Sequence, residues 1–176
     1  MKKEFIDFLN SSPISPPPDL TKKIYSRVEG DLNPSVFGVF GKLSIIHFMV
    51  SLLTLSICPQ FGFRIIGEGM GLMHIFSVFG AIGCTLACGF FFLGTSILVA
   101  TLVLKKAEIA VIRRNKFLEL LTLAALSLGF FLMVNAEVVI SFAILWLFGS
   151  VIGGLVFLEV GWEFKKRIVT EITFLA

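Results

Sequence analysis

Three side chains in this sequence have the types and spacing of a soft-metal site. His47 is the only ionisable group, cysteine thiols apart, that lies well inside a long apolar run. Cys84 and Cys88 stand at i and i+4, which places them on one face of a helix. Counted along helices, His47 lies roughly 16 Å below the outer end of its run. The two cysteines lie roughly 20 and 26 Å below the same surface, so the three fall at similar depth. One imidazole facing two thiolates suits zinc or cuprous copper. A fourth ligand is missing from the pattern. The competing reading makes both cysteines small packing residues and gives His47 a backbone or hydroxyl partner. We adopt that reading and expect no metal and no cofactor.

Other chemistry is sparse. Glu119 and Glu159 lie near the inner ends of their runs, and Glu163 shares a face with Glu159 beside Lys165–Arg167. They read as interfacial charges paired with Lys or Arg. No carboxylate falls at mid-membrane, where a proton-coupled transporter carries its coupling acid. No Ser/His or Cys/His nucleophile pair and no H-E-x-x-H stands out, so no enzyme is expected. Cys58, Cys84 and Cys88 form no C-x-x-C. On the outer side Cys58, Arg64, Glu68 and His74 share one short, glycine-containing segment, the place a sensing role would use.

The elements that position these residues follow from hydropathy. Of 176 residues, 56% are hydrophobic and 20 are Phe, more apolar surface than a water-soluble domain of this size can hide. Charge avoids the long apolar runs and collects between them. The net charge of +3 records orientation rather than a nucleic-acid partner. The N-terminal MKKEFIDFLN has too short an apolar part, broken by Asp7, to read as a signal peptide.

Four spans are expected, at about 40–58, 71–104, 117–134 and 138–162. Pro59 closes the first and Trp162 marks an interface at the last. The second is the difficult one. As a single helix it would be roughly 51 Å long, against a hydrocarbon core of roughly 30 Å. Its middle, CTLACGFFFLG, has no residue suited to a turn, and a bare turn would leave backbone groups unpaired in lipid. Lys and Arg counts before, between and after the four spans run 6, 1, 5, 0 and 3. One crossing at the second run puts every high count on the cytoplasmic side. The expected fold is therefore all-α: a polytopic bundle with both termini inside a bacterial inner membrane, its long span tilted and projecting.

Small residues show where helices approach. Gly80, Cys84 and Cys88 fall at i, i+4 and i+8 of the second span, and Gly149 and Gly153 form a G-x-x-x-G in the fourth. Such faces let backbones pack closely in lipid, where no hydrophobic force draws helices together. Spans two and four are the expected central contact, and the same face would serve a homodimer.

Residues 1–35 form a cytoplasmic arm with two short amphipathic helices, 36–164 the membrane domain, and 165–176 a cytoplasmic tail. In the first arm helix Phe5, Phe8 and Leu9 share a face. SSPISPPP is a stiff linker. Pro18 and Asp19 start the second helix, and Gly30 with Pro34 ends it. Leu20, Ile24 and Val28 line one side, with Lys22, Lys23 and Arg27 on the same helix. Such a helix can lie on anionic lipid or seat its apolar stripe in a partner's groove.

The segment PPPDLTKKIYSRVEGD, within Ser15 to Pro34, resembles the juxtamembrane segment of membrane-anchored bacterial anti-sigma factors. There a Pro-rich linker and a short helix of the form P-x-L-x-x-K/R-I lead to the membrane. The family's zinc-type H-x-x-x-C-x-x-C is absent from this chain. The resemblance implies a regulator that holds a cytosolic protein at the membrane through Leu20, Ile24 and Val28. The expected function is regulatory or scaffolding work through the arm. The alternative is a small transporter or metal-handling protein that uses the bundle interior.

Overall fold

The computed structural model describes residues 17–57, 78–134, 136 and 138–175, with side chains described as far as Arg167. The first arm helix and the segment holding Cys58, Arg64, Glu68 and His74 lie outside the described residues. The chain divides into two units, Met1–Asn33 and Pro34–Ala176.

The first unit contains α1, Pro18–Leu32. Pro18 at the first helical position has a preset φ and loses no hydrogen bond there. Asp19 in the first turn complements the helix dipole. At the other end the Asn33 N–H donates to the Glu29 carbonyl at 2.8 Å. No residue of α1 is buried, and Leu20, Ile24 and Val28 are each about half exposed.

The second unit is built from α2 (Val36–Ile57), α3 (Gly80–Val103), α4 (Lys106–Arg114), α5 (Lys116–Met133) and α6 (Ile140–Leu175). All described regular structure is helical. Four of these helices, α2, α3, α5 and α6, are long and apolar enough to cross a membrane. Helices apolar on every side suit lipid, because each backbone bond closes within the segment.

The helices differ from the sequence expectation at their ends. The described part of the second span, α3, starts at Gly80, which adopts a φ of +73°. Only glycine takes that conformation at little cost. Gly80 is exposed, with open space where a Cβ would point, so its role is in the backbone rather than in packing. The helix of 24 residues is roughly 36 Å long, which fits one crossing with little excess. Past Trp162, α6 continues without a break to Leu175, because no Pro or Gly follows Gly161. The 105–116 connection holds a helix of its own, α4, with Ile109 and Ile112 buried on one side.

The bundle is organised around the α3–α6 pair; α2 packs on α3, α5 on α6, and α4 touches both α2 and α5. At the α3–α6 seam a Cβ on Gly149 would strike the Leu86 carbonyl, and one on Gly153 the Phe90 carbonyl. From the other side, a Cβ on Gly89 would strike the Trp146 carbonyl. Backbone therefore lies against backbone. Beside the seam Trp146 packs on Phe92 and Phe131, with ring centroids 5.4 and 5.9 Å away.

In the bundle every charged side chain described lies at one end. Lys165 Nζ donates to the carbonyls of Thr101 (3.0 Å) and Leu102 (3.3 Å) and to that of Leu104. It thereby caps acceptors that the C-terminus of α3 leaves open. Glu159 accepts from Arg113 at 2.8 Å and lies 3.5 Å from Lys116, while Glu163 accepts from Lys166 at 2.8 Å. Glu108 accepts from the Lys105 N–H at 2.8 Å and pairs with Lys42 of α2. Burial alone would raise the Glu108 carboxyl. The hydrogen bonds from Lys42 and Lys105, with their charges, outweigh it and hold the group below the usual carboxylate range. Glu119 departs from the expected pairing. It is buried, and neither of its carboxyl oxygens has a hydrogen-bond partner among the described residues.

Candidate functional site

His47 is fixed by α2, whose inward face carries Leu43, His47 and Ser51 at successive turns, all buried. Its ring reaches two other helices. Nδ1 lies 2.7 Å from Ser96 Oγ on α3, and Nε2 lies 2.8 Å from Ser127 Oγ on α5. Phe92 of α3 stands edge-on to the imidazole at 5.5 Å. One side chain thus joins three membrane-length helices.

The proton inventory of this bridge is restrictive. Ser96 Oγ sits 2.9 Å from the Leu93 carbonyl, and Ser127 Oγ 2.9 Å from the Leu123 carbonyl. A neutral imidazole has one N–H and one acceptor nitrogen. One serine therefore accepts from the ring N–H and keeps its own hydrogen on its helix carbonyl. The other turns its hydrogen to the bare nitrogen. Exchanging the two roles moves a ring proton from one side of His47 to the other and leaves the heavy atoms in place. Ser51 Oγ lies 3.5 Å from Nε2, the outer limit of such a contact.

Beside the bridge, between α2 and α5 and floored by Phe92, is a cavity of about 160 Å³. Among the described residues Ser44, His47, Ser51 and Ser127 supply its polar lining, and the other lining residues are Phe and Leu. Phe48, Leu126 and Phe130 at its edge are also exposed on the outside of the bundle. The cavity is therefore a lateral crevice, facing the surroundings of the helices.

The structure does not bring His47 to the cysteines. Cys84 and Cys88 are both buried on α3, but His47 meets that helix at Ser96. Ser96 is eight residues beyond Cys88, roughly 12 Å along the axis. The depth count from Gly71 misplaced the register, since the described helix begins at Gly80. Among the described residues no group of three or more His, Cys, Asp or Glu could hold a metal ion.

Of the other residues singled out, Gly149 and Gly153 stand in the α3–α6 seam and Gly80 at the start of α3. Leu20, Ile24 and Val28 form the exposed stripe of α1. Sequence reasoning missed Ser96 and Ser127. A serine in an apolar helix hydrogen-bonds its own preceding turn, so its presence carries no signal of a distant partner.

These features define a class: an all-helical bundle with four membrane-length helices and a histidine bridge in its interior. Comparison with protein-family models, curated proteins and solved structures finds no match to this chain.

Proposed function

We propose that this chain is a non-enzymatic regulatory or scaffolding protein of a bacterial cytoplasmic membrane, holding a cytosolic partner through α1. The observation that carries this reading is α1 itself. It belongs to a separate unit, has no buried residue, and carries an apolar stripe on the same helix as Lys22, Lys23 and Arg27. An apolar stripe on a short helix is the form that a groove-bearing partner takes up. The resemblance to the juxtamembrane segment of anti-sigma factors supports a transcriptional regulator as that partner. The gathering of Lys and Arg at one end of the bundle supports both termini lying in the cytoplasm. The experiment is photo-crosslinking from position 24 in full-length protein. A discrete adduct with a cytosolic protein, lost when L20S/V28S is added to the same probe-bearing chain, is the expected result. Adducts with lipid alone would reject the partner and leave a helix that lies on the inner leaflet.

A second reading, a small transporter using the bundle interior, is favoured by the crevice beside His47. Its metal-handling form has no ligand cluster among the described residues.

A further inference from the structure

The crevice between α2 and α5 has a chemistry specific enough to name a ligand class. Its volume of about 160 Å³ is close to the roughly 150 Å³ of an engineered apolar cavity that holds benzene. It opens sideways between two membrane-length helices, so its ligand arrives from lipid. Among the described residues no Lys, Arg, Asp or Glu lines it, and both nitrogens of His47 are already engaged. A charged head would find no counter-ion there, and the ligand is neutral. Phe48, Phe92, Phe130 and Phe131 line it, which suits a flat ring.

The polar atoms set the rest. Ser44 Oγ has no hydrogen-bond partner among the described residues, so turning about its χ1 gives up no bond to them. Among the described residues Ser51 Oγ has only its long contact to His47. Both residues line the cavity, seven apart on one face of α2 and roughly 10 Å apart along its axis. That is the reach of a six-membered ring with a carbonyl at each end, hydrogen-bonded at both.

We propose that the crevice binds the head of a lipid-soluble para-quinone. Its carbonyls accept from Ser44 and Ser51, its ring lies among the phenylalanines, and its tail leaves between α2 and α5. The proposal concerns binding; it rests on the bundle-interior reading and is independent of the arm.

The test uses full-length protein in phospholipid nanodiscs with Trp162→Phe, which leaves Trp146 as the single tryptophan. Trp146 packs on the cavity residues Phe92 and Phe131, within quenching reach of a bound quinone. Decyl-benzoquinone is titrated in. Quenching is expected to saturate at one quinone per chain. S44A/S51A should weaken binding about tenfold, as loss of two modest hydrogen bonds does. The arm variant L20S/I24S/V28S should bind as the parent does, so failure of the arm's role would be seen separately. Decylbenzene, the same tail without carbonyls, should displace no quinone. Quenching that rises linearly without saturation would overturn the proposal. Equal competition by decylbenzene would do so as well, making the crevice a seat for any hydrocarbon chain. That comparison leaves the crevice unaltered, so it does not depend on the serine variant folding.

Discussion

The two sides of α3 are built on opposite plans. Toward α6 the helix meets its neighbour through Gly89, Gly149 and Gly153, backbone against backbone. Toward α2 and α5 it meets them through His47, Ser96 and Ser127, with a crevice left alongside. In lipid, helix association depends on close packing and interhelical hydrogen bonds, and this protein divides the two between its two sides. The close-packed side has no room to change. The hydrogen-bonded side is held at a point and can admit a guest, so the two sides should respond differently to substitution.

The largest effect is expected at the seam. Gly153→Val would drive a branched side chain into the Phe90 carbonyl of α3. A loss of about 3 kcal/mol is expected, the upper part of the overpacking range. Unfolding of the purified protein in mixed micelles measures it, and an unchanged midpoint would contradict the backbone contact. At the bridge, His47→Ala removes two interhelical hydrogen bonds. Ser96 and Ser127 still have their own helix carbonyls as partners. The expected loss is about 1–2 kcal/mol by the same measurement, in keeping with intramembrane hydrogen bonds of modest worth. A cost equal to that of Gly153→Val would erase the distinction between the two sides.

Smaller effects are expected at the charged end. Glu108 has its carboxyl held below the usual range when folded. Its contribution is therefore complete above the ordinary carboxylate pKa and is lost as the pH falls through the lower folded value. Lys42 is largely exposed, so Glu108→Gln should cost only about 1 kcal/mol at neutral pH. The variant should flatten the acid limb of a stability-versus-pH curve, and an identical acid limb would remove Glu108 from the account. The smallest change is expected from L20S/I24S/V28S, because α1 buries nothing. Bundle stability should move by less than about 0.5 kcal/mol. A larger shift would mean that the stripe is already covered within the protein.

The sequence was legible where a single residue type carries a physical constraint. Long uncharged runs marked the four membrane-length helices, and Gly149 with Gly153 marked a close approach. His47 stood out because an ionisable group inside an apolar run needs a reason. Legibility failed where meaning depends on a partner helix. Gly89 faces Trp146 across the seam whereas Gly80 stands exposed at the start of α3 with a positive φ, and neither role is written in the local pattern. The sequence marked no helix in the 105–116 connection because its apolar side, Ile109 and Ile112, spans little more than one turn. Glu119 read as an interfacial charge like Glu159, yet only Glu159 meets Arg113 and Lys116.

The proposed function depends on orientation, since α1 precedes α2 in the chain and meets a cytosolic partner only if the start of α2 faces the cytoplasm. Paired reporters fused after Lys106 and after Val134 test this most directly. A cytoplasmic signal is expected at Lys106 and a periplasmic one at Val134. A periplasmic signal at Lys106 would contradict it.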